Sequence, residues 1–283
     1  MLRSIGLTHT HMECRSLKET LPVMTDLLAF QKIAERPGEA TLKHPNTDWI
    51  LIVHEAGPDA PAKQMHNHWG VRVMKTEEVD AAYEYLTAHK AEYRIDQIGK
   101  PSYNHGSYSV YFLEPGTNGW EIECYEGALR KDVWLTRVGG VRAPHWEKPM
   151  SSDRFPGRGY VPQGFTHGTL ASSDMKKSWE FYEKVLGLEG HQANDHVVYI
   201  KHPKTKCYVV CAVRQEWQTF SPNFRFTVTL ESKVAVEEAY RALAVSGKDV
   251  GVSELREPTT VGPATSFLLS DPGGNWWEIA SPA

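Results

Sequence analysis

The 283-residue sequence predicts an α+β protein assembled from tandem βαβββ modules, two in each of two domains. Three observations predict it. The chain matches itself at a long offset, each matching half carries the order strand, helix, strands twice, and a Gly/Pro-rich stretch separates the halves.

The match has a shift of 158 residues at first, with Thr8 and His9 falling on Thr166 and His167, Leu28 on Leu186, and Lys43-His44-Pro45 on Lys201-His202-Pro203. Further along, the shift is 157. There Ala82-Tyr83 meets Ala239-Tyr240, and Pro115-Gly116, Asn118 and Trp120-Glu121-Ile122 meet Pro272-Gly273, Asn275 and Trp277-Glu278-Ile279. A repeat of about 120 to 130 residues is too long for a solenoid unit and signals duplicated domains. Gly139, Gly140, Pro144, Pro149, Pro156, Gly157, Gly159 and Pro162 supply turns between them. The expected division is a first domain over 1–128, a linker over 129–162 and a second domain over 163–283.

Ile5–Glu13 reads as a strand, Ser16–Leu28 as a helix opened by a Ser cap, and Phe30–Glu35, Ala40–His44 and Trp49–His54 as strands. Pro22 predicts a kink or a late start in that helix. His68–Met74 alternates like a strand, and Thr76–His89 carries Val79, Ala82, Tyr83 and Leu86 at helical spacing. Tyr93–Ile98, Ser107–Leu113 and Trp120–Tyr125 follow as strands.

With 41% hydrophobic and 23% charged residues, the composition favours neither disorder nor a fibrous repeat. A net charge of -4 gives no basic footprint for nucleic acid, so small-molecule chemistry is favoured. No apolar run suits a membrane helix and the first residues lack a signal-peptide core, which together predict a cytoplasmic protein. Cys14, Cys124, Cys207 and Cys211 show no metal-binding spacing and are expected to be free thiols.

Paired βαβββ modules with a histidine on the first strand resemble the vicinal oxygen chelate superfamily, which includes glyoxalase I, bleomycin-resistance proteins and extradiol dioxygenases. The clearest marks are Phe165-Thr166-His167, then Asp174, Trp179-Glu180-Phe181-Tyr182 through Leu186-Gly187, and the run from Asp271-Pro272-Gly273-Gly274-Asn275 to Glu278. The resemblance, to the two-domain type I extradiol enzymes in particular, implies that paired modules form an open mixed-sheet barrel. It also implies a divalent metal held from first and last strands.

Carried onto this chain, it implies His9, His68 and Glu121 as the metal ligands, with Fe(II) as the expected ion and Mn(II) as the alternative. Two imidazoles and a carboxylate leave open positions for substrate and O2. His11 competes with His9, because residues two apart on a strand share a face. The repeat favours His9, which pairs with His167, whereas His11 pairs with Thr169. His66 competes with His68 in the same way. In the second copy Arg225, or Asn223 in a slipped register, takes the place of His68, and arginine has no free lone pair to ligate with. That domain is therefore expected to be metal-free and structural.

The resemblance further implies catalytic roles for His54 as acid/base, Tyr111 as hydrogen-bond donor to a substrate oxygen, and His105 as holder of the second hydroxyl. Val110-Tyr111, Glu114-Pro115 and Glu121 follow the order of the extradiol signature. The apolar strand Trp49–Val53 lacks the fourth ligand of a glyoxalase I. Trp49, Trp69, Tyr103 and Trp120 are candidates to line a pocket for a flat ring. The expected activity is extradiol ring cleavage of a catechol-type diol with O2. A glyoxalase-like lyase or isomerase and a non-catalytic ligand-binding or resistance protein are the competing readings. Exposed strand edges and the second barrel suggest a homo-oligomer.

Overall fold

The computed structural model describes residues 2–61, 67–104, 106–125, 146–216 and 218–282. The expected βαβββ order recurs four times, with one additional short strand in the second and fourth modules. The first module comprises β1 (Ser4–Cys14), α1 (Leu17–Pro22), β2 (Gln31–Arg36), β3 (Glu39–Lys43) and β4 (Ile50–Glu55). In the second are β5 (His68–Arg72), α2 (Thr76–Ala88), β6 (Gln97–Ile98), β7 (Ser102–Asn104), β8 (Ser107–Leu113) and β9 (Gly119–Cys124). The third holds β10 (Gly164–Ser172), α3 (Met175–Lys184), β11 (Glu189–Asn194), β12 (Val197–Lys201) and β13 (Tyr208–Val213). The fourth contains β14 (Arg225–Leu230), α4 (Lys233–Ser246), β15 (Glu254–Leu255), β16 (Thr259–Val261), β17 (Ala264–Ser270) and β18 (Trp276–Ala280).

The compact units are not the two sequence halves. One comprises Met1–Met12 with Leu170–Ala283, and the other runs Glu13–Thr169. Strand pairing explains the exchange. β1 pairs antiparallel with β14 of the fourth module, and β10 pairs antiparallel with β5 of the second. A first strand from each half thus serves the unit dominated by the other, and the divisions between the compact units fall inside β1 and inside β10. Of the expected linker, 129–145 lies outside the described residues. Its last residues belong to the Glu13–Thr169 unit, where the Tyr160 hydroxyl donates to Leu27 O at 3.1 Å and Val161 N to Glu78 Oε1 at 3.0 Å.

In the Glu13–Thr169 unit the strands run β8, β9, β5, β10, with β5 and β9 parallel and the other pairs antiparallel. Behind them α2 buries Val79, Ala82 and Leu86 against β8 and β9. The same plan recurs in the other unit as β17, β18, β14, β1, with α4 burying Val236, Ala239 and Leu243. Each unit also holds an antiparallel meander, β2–β3–β4 or β11–β12–β13.

Local chemistry sets the element ends. Asp174 caps α3 by accepting Lys177 N at 3.0 Å, and Ser232 caps α4 by accepting Ala235 N at 3.2 Å. Ser16 occupies the cap position of α1 without capping it; the Glu55 carboxylate accepts Leu17 N at 3.2 Å instead. Pro22 ends α1, and the chain continues through a π-helical turn over Val23–Leu27, the local widening that a missing N–H allows. Of the strand expected over Tyr93–Ile98 only Gln97–Ile98 forms, because Arg94 turns the chain at φ 52°.

Trp49, Trp69 and Trp120 are core residues rather than pocket lining. Phe165 stacks on Trp49 at 4.9 Å and meets Phe30 edge-on at 5.1 Å, and Trp120 meets Phe30 at 5.7 Å. Rings so buried contribute roughly 2–3 kcal/mol each. Tyr103 is 63% exposed and packs on Tyr108. The four cysteines are buried free thiols, and among the described residues no helix is long and apolar enough to cross a membrane.

Candidate metal centre

Strand register places four residues in one row across four strands. Tyr111 on β8 lies opposite Glu121 on β9, Glu121 pairs with Gly70 on β5, and Gly70 pairs with His167 on β10. His68 precedes Gly70 by two residues and so shares its face. The side chains of His68, Glu121 and His167 converge, their ligating atoms lying within 4.8 Å of one another. Both imidazole Nε2 atoms stand 3.1 Å from Glu121 Oε2.

The outer partners orient this set. The Thr166 hydroxyl lies 3.0 Å from both His167 Nδ1 and Glu123 Oε1, and Glu123 is bound in turn by Arg72 at 2.6 and 3.0 Å. A carboxylate and a hydroxyl on the Nδ1 side leave His167 Nε2 facing inward, as for histidines that bind metals. Burial alone would lower the His167 pKa, but Glu123 and Glu121 outweigh it and raise it to about 9. Burial would likewise push Glu121 up; hydrogen bonds from His167 and His68 hold it well below the usual carboxylate range. Its other oxygen, Oε1, accepts the Tyr111 hydroxyl at 2.6 Å and lies 3.4 Å from Ser107 Oγ. The donor chemistry fits a divalent cation: two imidazole nitrogens and one ionised carboxylate oxygen, turned toward a common point.

The structure brings two of the three expected ligands together. His68 and Glu121 come together, but the third member is His167, not His9. The reason is the exchange of first strands: β10, not β1, lies beside β5. His9 belongs to a second cluster with His11 and Glu278, whose Oε2 lies 3.7 Å from His9 Nε2 and 3.2 Å from His11 Nε2. There Arg225 occupies the place that His68 has in the first cluster, and its Nε donates to Glu278 Oε2 at 3.1 Å. Asn223 is not the counterpart, since the register pairs Arg225 with Trp276 as it pairs His68 with Gly119. His11 is buried, which lowers its pKa to about 3 and keeps it neutral.

Tyr111 faces the centre, with its ring 5.1 Å from that of His68, but its hydroxyl is donated to Glu121 rather than presented as a free donor. His54 on β4 is a member of neither cluster; its Nδ1 lies 3.3 Å from Glu39. His105 and His66 lie outside the described residues. Two motifs that stand out in the repeat prove structural. His44 Nε2 donates to Pro162 O at 3.1 Å while Nδ1 accepts Asn46 N at 3.2 Å, and His202 repeats both bonds with Ser4 O and Lys204 N. Glu114 and Asp271 sit in the turns before β9 and β18, and each accepts backbone and side-chain donors from its turn.

The family model for the Glyoxalase/Bleomycin resistance protein/Dioxygenase superfamily matches residues 6–122 and 164–279, one copy in each half. The chain belongs to this superfamily. Its members include dioxygenases and glyoxalases, which fits a metal-dependent enzyme of the vicinal oxygen chelate kind and a small-molecule substrate. Among solved structures of similar fold is glyoxalase I from Zea mays, at 13% identity and a TM-score of 0.61, covering 98% of this chain and 91% of that one. A proposed dioxygenase from Bacillus subtilis is similar at 12% identity and a TM-score of 0.63, covering 99% and 86%. Identities this low show a shared fold. No curated protein sequence matches the chain.

The second and fourth modules of this superfamily member carry the difference between the clusters. Both clusters retain a first-strand histidine and a last-strand glutamate, while the third position is His68 in one and Arg225 in the other. The sequence offset already aligned these residues pairwise. It carried no signal that the first strands exchange partners, since both pairings satisfy the same hydrophobic pattern.

Proposed function

We propose that this protein is an extradiol ring-cleaving dioxygenase whose Fe(II), or alternatively Mn(II), is held by His68, His167 and Glu121. The observation that carries this reading is the convergence of two imidazoles and one carboxylate as a set of three among the described residues. A set of this kind suits non-haem Fe(II) oxygenases, because it leaves positions for a chelating substrate and for O2. When bound, the ion would supply the redox and Lewis-acid chemistry that joins a diol to oxygen.

The protein's own part is orientation and charge. Glu123 and Thr166 hold the His167 ring in place, and Tyr111 with Ser107 holds Glu121 by its outer oxygen. His68 is the more open ligand, with 13% of its side chain exposed against 3% for His167, so substrate approach from its side is favoured. Its neighbour Tyr111 remains a protonated donor, since burial and then the Glu121 charge raise its pKa well above the usual phenol value. A proton-transfer role for His54 at this centre has no support from its contact with Glu39, and the role of His105 as holder of the second hydroxyl rests on the signature order alone.

Anaerobic reconstitution with Fe(II), followed by oxygen uptake across a panel of catechols, tests the proposal. A yellow ring-opened product with stoichiometric O2 consumption is the expected result. No uptake with any diol, together with turnover of a glutathione hemithioacetal, would establish the glyoxalase-like reading instead.

A further inference from the structure

Gly70 lies in the middle of β5, paired on one side with His167 and on the other with Glu121. Its backbone lies outside the positive-φ region that favours glycine, so its conformation is open to any residue. Glycine there weakens a strand and needs another cause. The cause is the His167 ring. A Cβ built on Gly70 would lie 2.0 Å from Cε1, 2.3 Å from Nδ1 and 2.8 Å from Nε2 of that ring. The imidazole rests on bare backbone, and Thr166 and Glu123 hold it there from behind.

The corresponding residue of the other unit is Thr227, which pairs in the same way with His9 and Glu278. Its side chain is fully buried, and its hydroxyl donates to Glu278 Oε2 at 3.1 Å. The His9 ring stands farther from its carboxylate, 3.7 Å against 3.1 Å for His167, and 25% of its side chain is exposed against 3%. A Cβ occupies the surface on which the ring would otherwise lie.

We propose that Gly70 is a positioning residue that makes the His68–Glu121–His167 cluster a metal site by clearing the strand surface for the His167 ring. Thr227 in the same place, together with Arg225, keeps the His9–His11–Glu278 cluster from being one. The inference rests on the reading that the first cluster binds a divalent cation. It adds that ligand identity is insufficient and that one missing side chain beneath the ring decides the outcome.

The test is Mn(II) titration of the full chain, read by the loss of the free-ion electron paramagnetic resonance signal, with circular dichroism melts to follow folding. The wild-type protein binds one Mn(II) per chain. Gly70→Ala weakens that binding at least about 10-fold, the scale on which ligand-orienting groups act. In the other unit, Arg225→His with Thr227→Gly gains a second Mn(II), and Arg225→His alone gains one at least about 10-fold more weakly than the pair. That comparison decides the matter even where Gly70→Ala fails to fold. Wild-type affinity in Gly70→Ala, or equal second-site binding by the single and double variants, would overturn the role of the strand surface. A wild-type chain that binds no Mn(II), Fe(II) or Zn(II) would instead remove the metal reading beneath it.

Discussion

The Tyr111 hydroxyl donates to Glu121 Oε1 at 2.6 Å, directly across the β8–β9 pair, while Glu121 Oε2 faces the imidazoles of His68 and His167. One carboxylate oxygen is thus committed to the phenol and the other to the metal ligands' side. Tyr111→Phe leaves Oε1 with Ser107 at 3.4 Å and frees the carboxylate to rotate. A loss of Mn(II) affinity of about 10- to 100-fold is expected by equilibrium titration. Unchanged affinity with a reduced turnover number would show that Tyr111 acts on the substrate instead.

The exchange of first strands makes opposite forecasts for two histidines that the repeat aligns. His167→Ala abolishes stoichiometric metal in the purified protein, whereas His9→Ala leaves it at the wild-type level, measured by inductively coupled plasma mass spectrometry. Removing one of three ligands forfeits most of the affinity of such a site. The reverse pattern would return the centre to the first sequence half.

His44 gives the protein a defined acid sensitivity. Burial depresses its pKa from 6.5 to about 3, outweighing the bond to Pro162 O. In the neutral ring Nε2–H donates to that carbonyl while Nδ1 accepts Asn46 N; protonation would set two donors face to face. Since the folded pKa lies below the unfolded one, the stabilisation is complete above pH 6.5 and is lost as the pH falls toward 3. His44→Gln is expected to melt lower at pH 7 but to lose less on acidification to pH 4. Parallel melting-temperature curves for the two proteins over that window would rule this out.

Both Glu114 oxygens are saturated, Oε1 by Asn118 N and Nδ2, and Oε2 by Thr20 Oγ1 and Gly116 N. Glu114→Gln replaces one acceptor by a donor facing two donors, which costs about 2 kcal/mol. Urea unfolding should show this loss with the metal content unaltered. A variant as stable as wild type but short of metal would make the acid-Pro step part of the centre.

The sequence by itself determined the modules and their order, because hydrophobic period and turn residues are local properties. It also aligned the corresponding positions pairwise: the offset puts His9 on His167, His68 on Arg225 and Glu121 on Glu278, while His11, the other member of the second cluster, falls on Thr169. Which first strand joins which sheet was decided only by tertiary structure. β1 and β10 carry matching residues at the repeat offset, Thr8-His9 against Thr166-His167, so the sequence lets either pair with β5, and the observed partner is set by long-range packing that no local signal encodes. Gly70 was illegible for the same reason. Its meaning is the absence of an atom beneath a ring nearly a hundred residues away, and that becomes visible only once β10 lies beside β5.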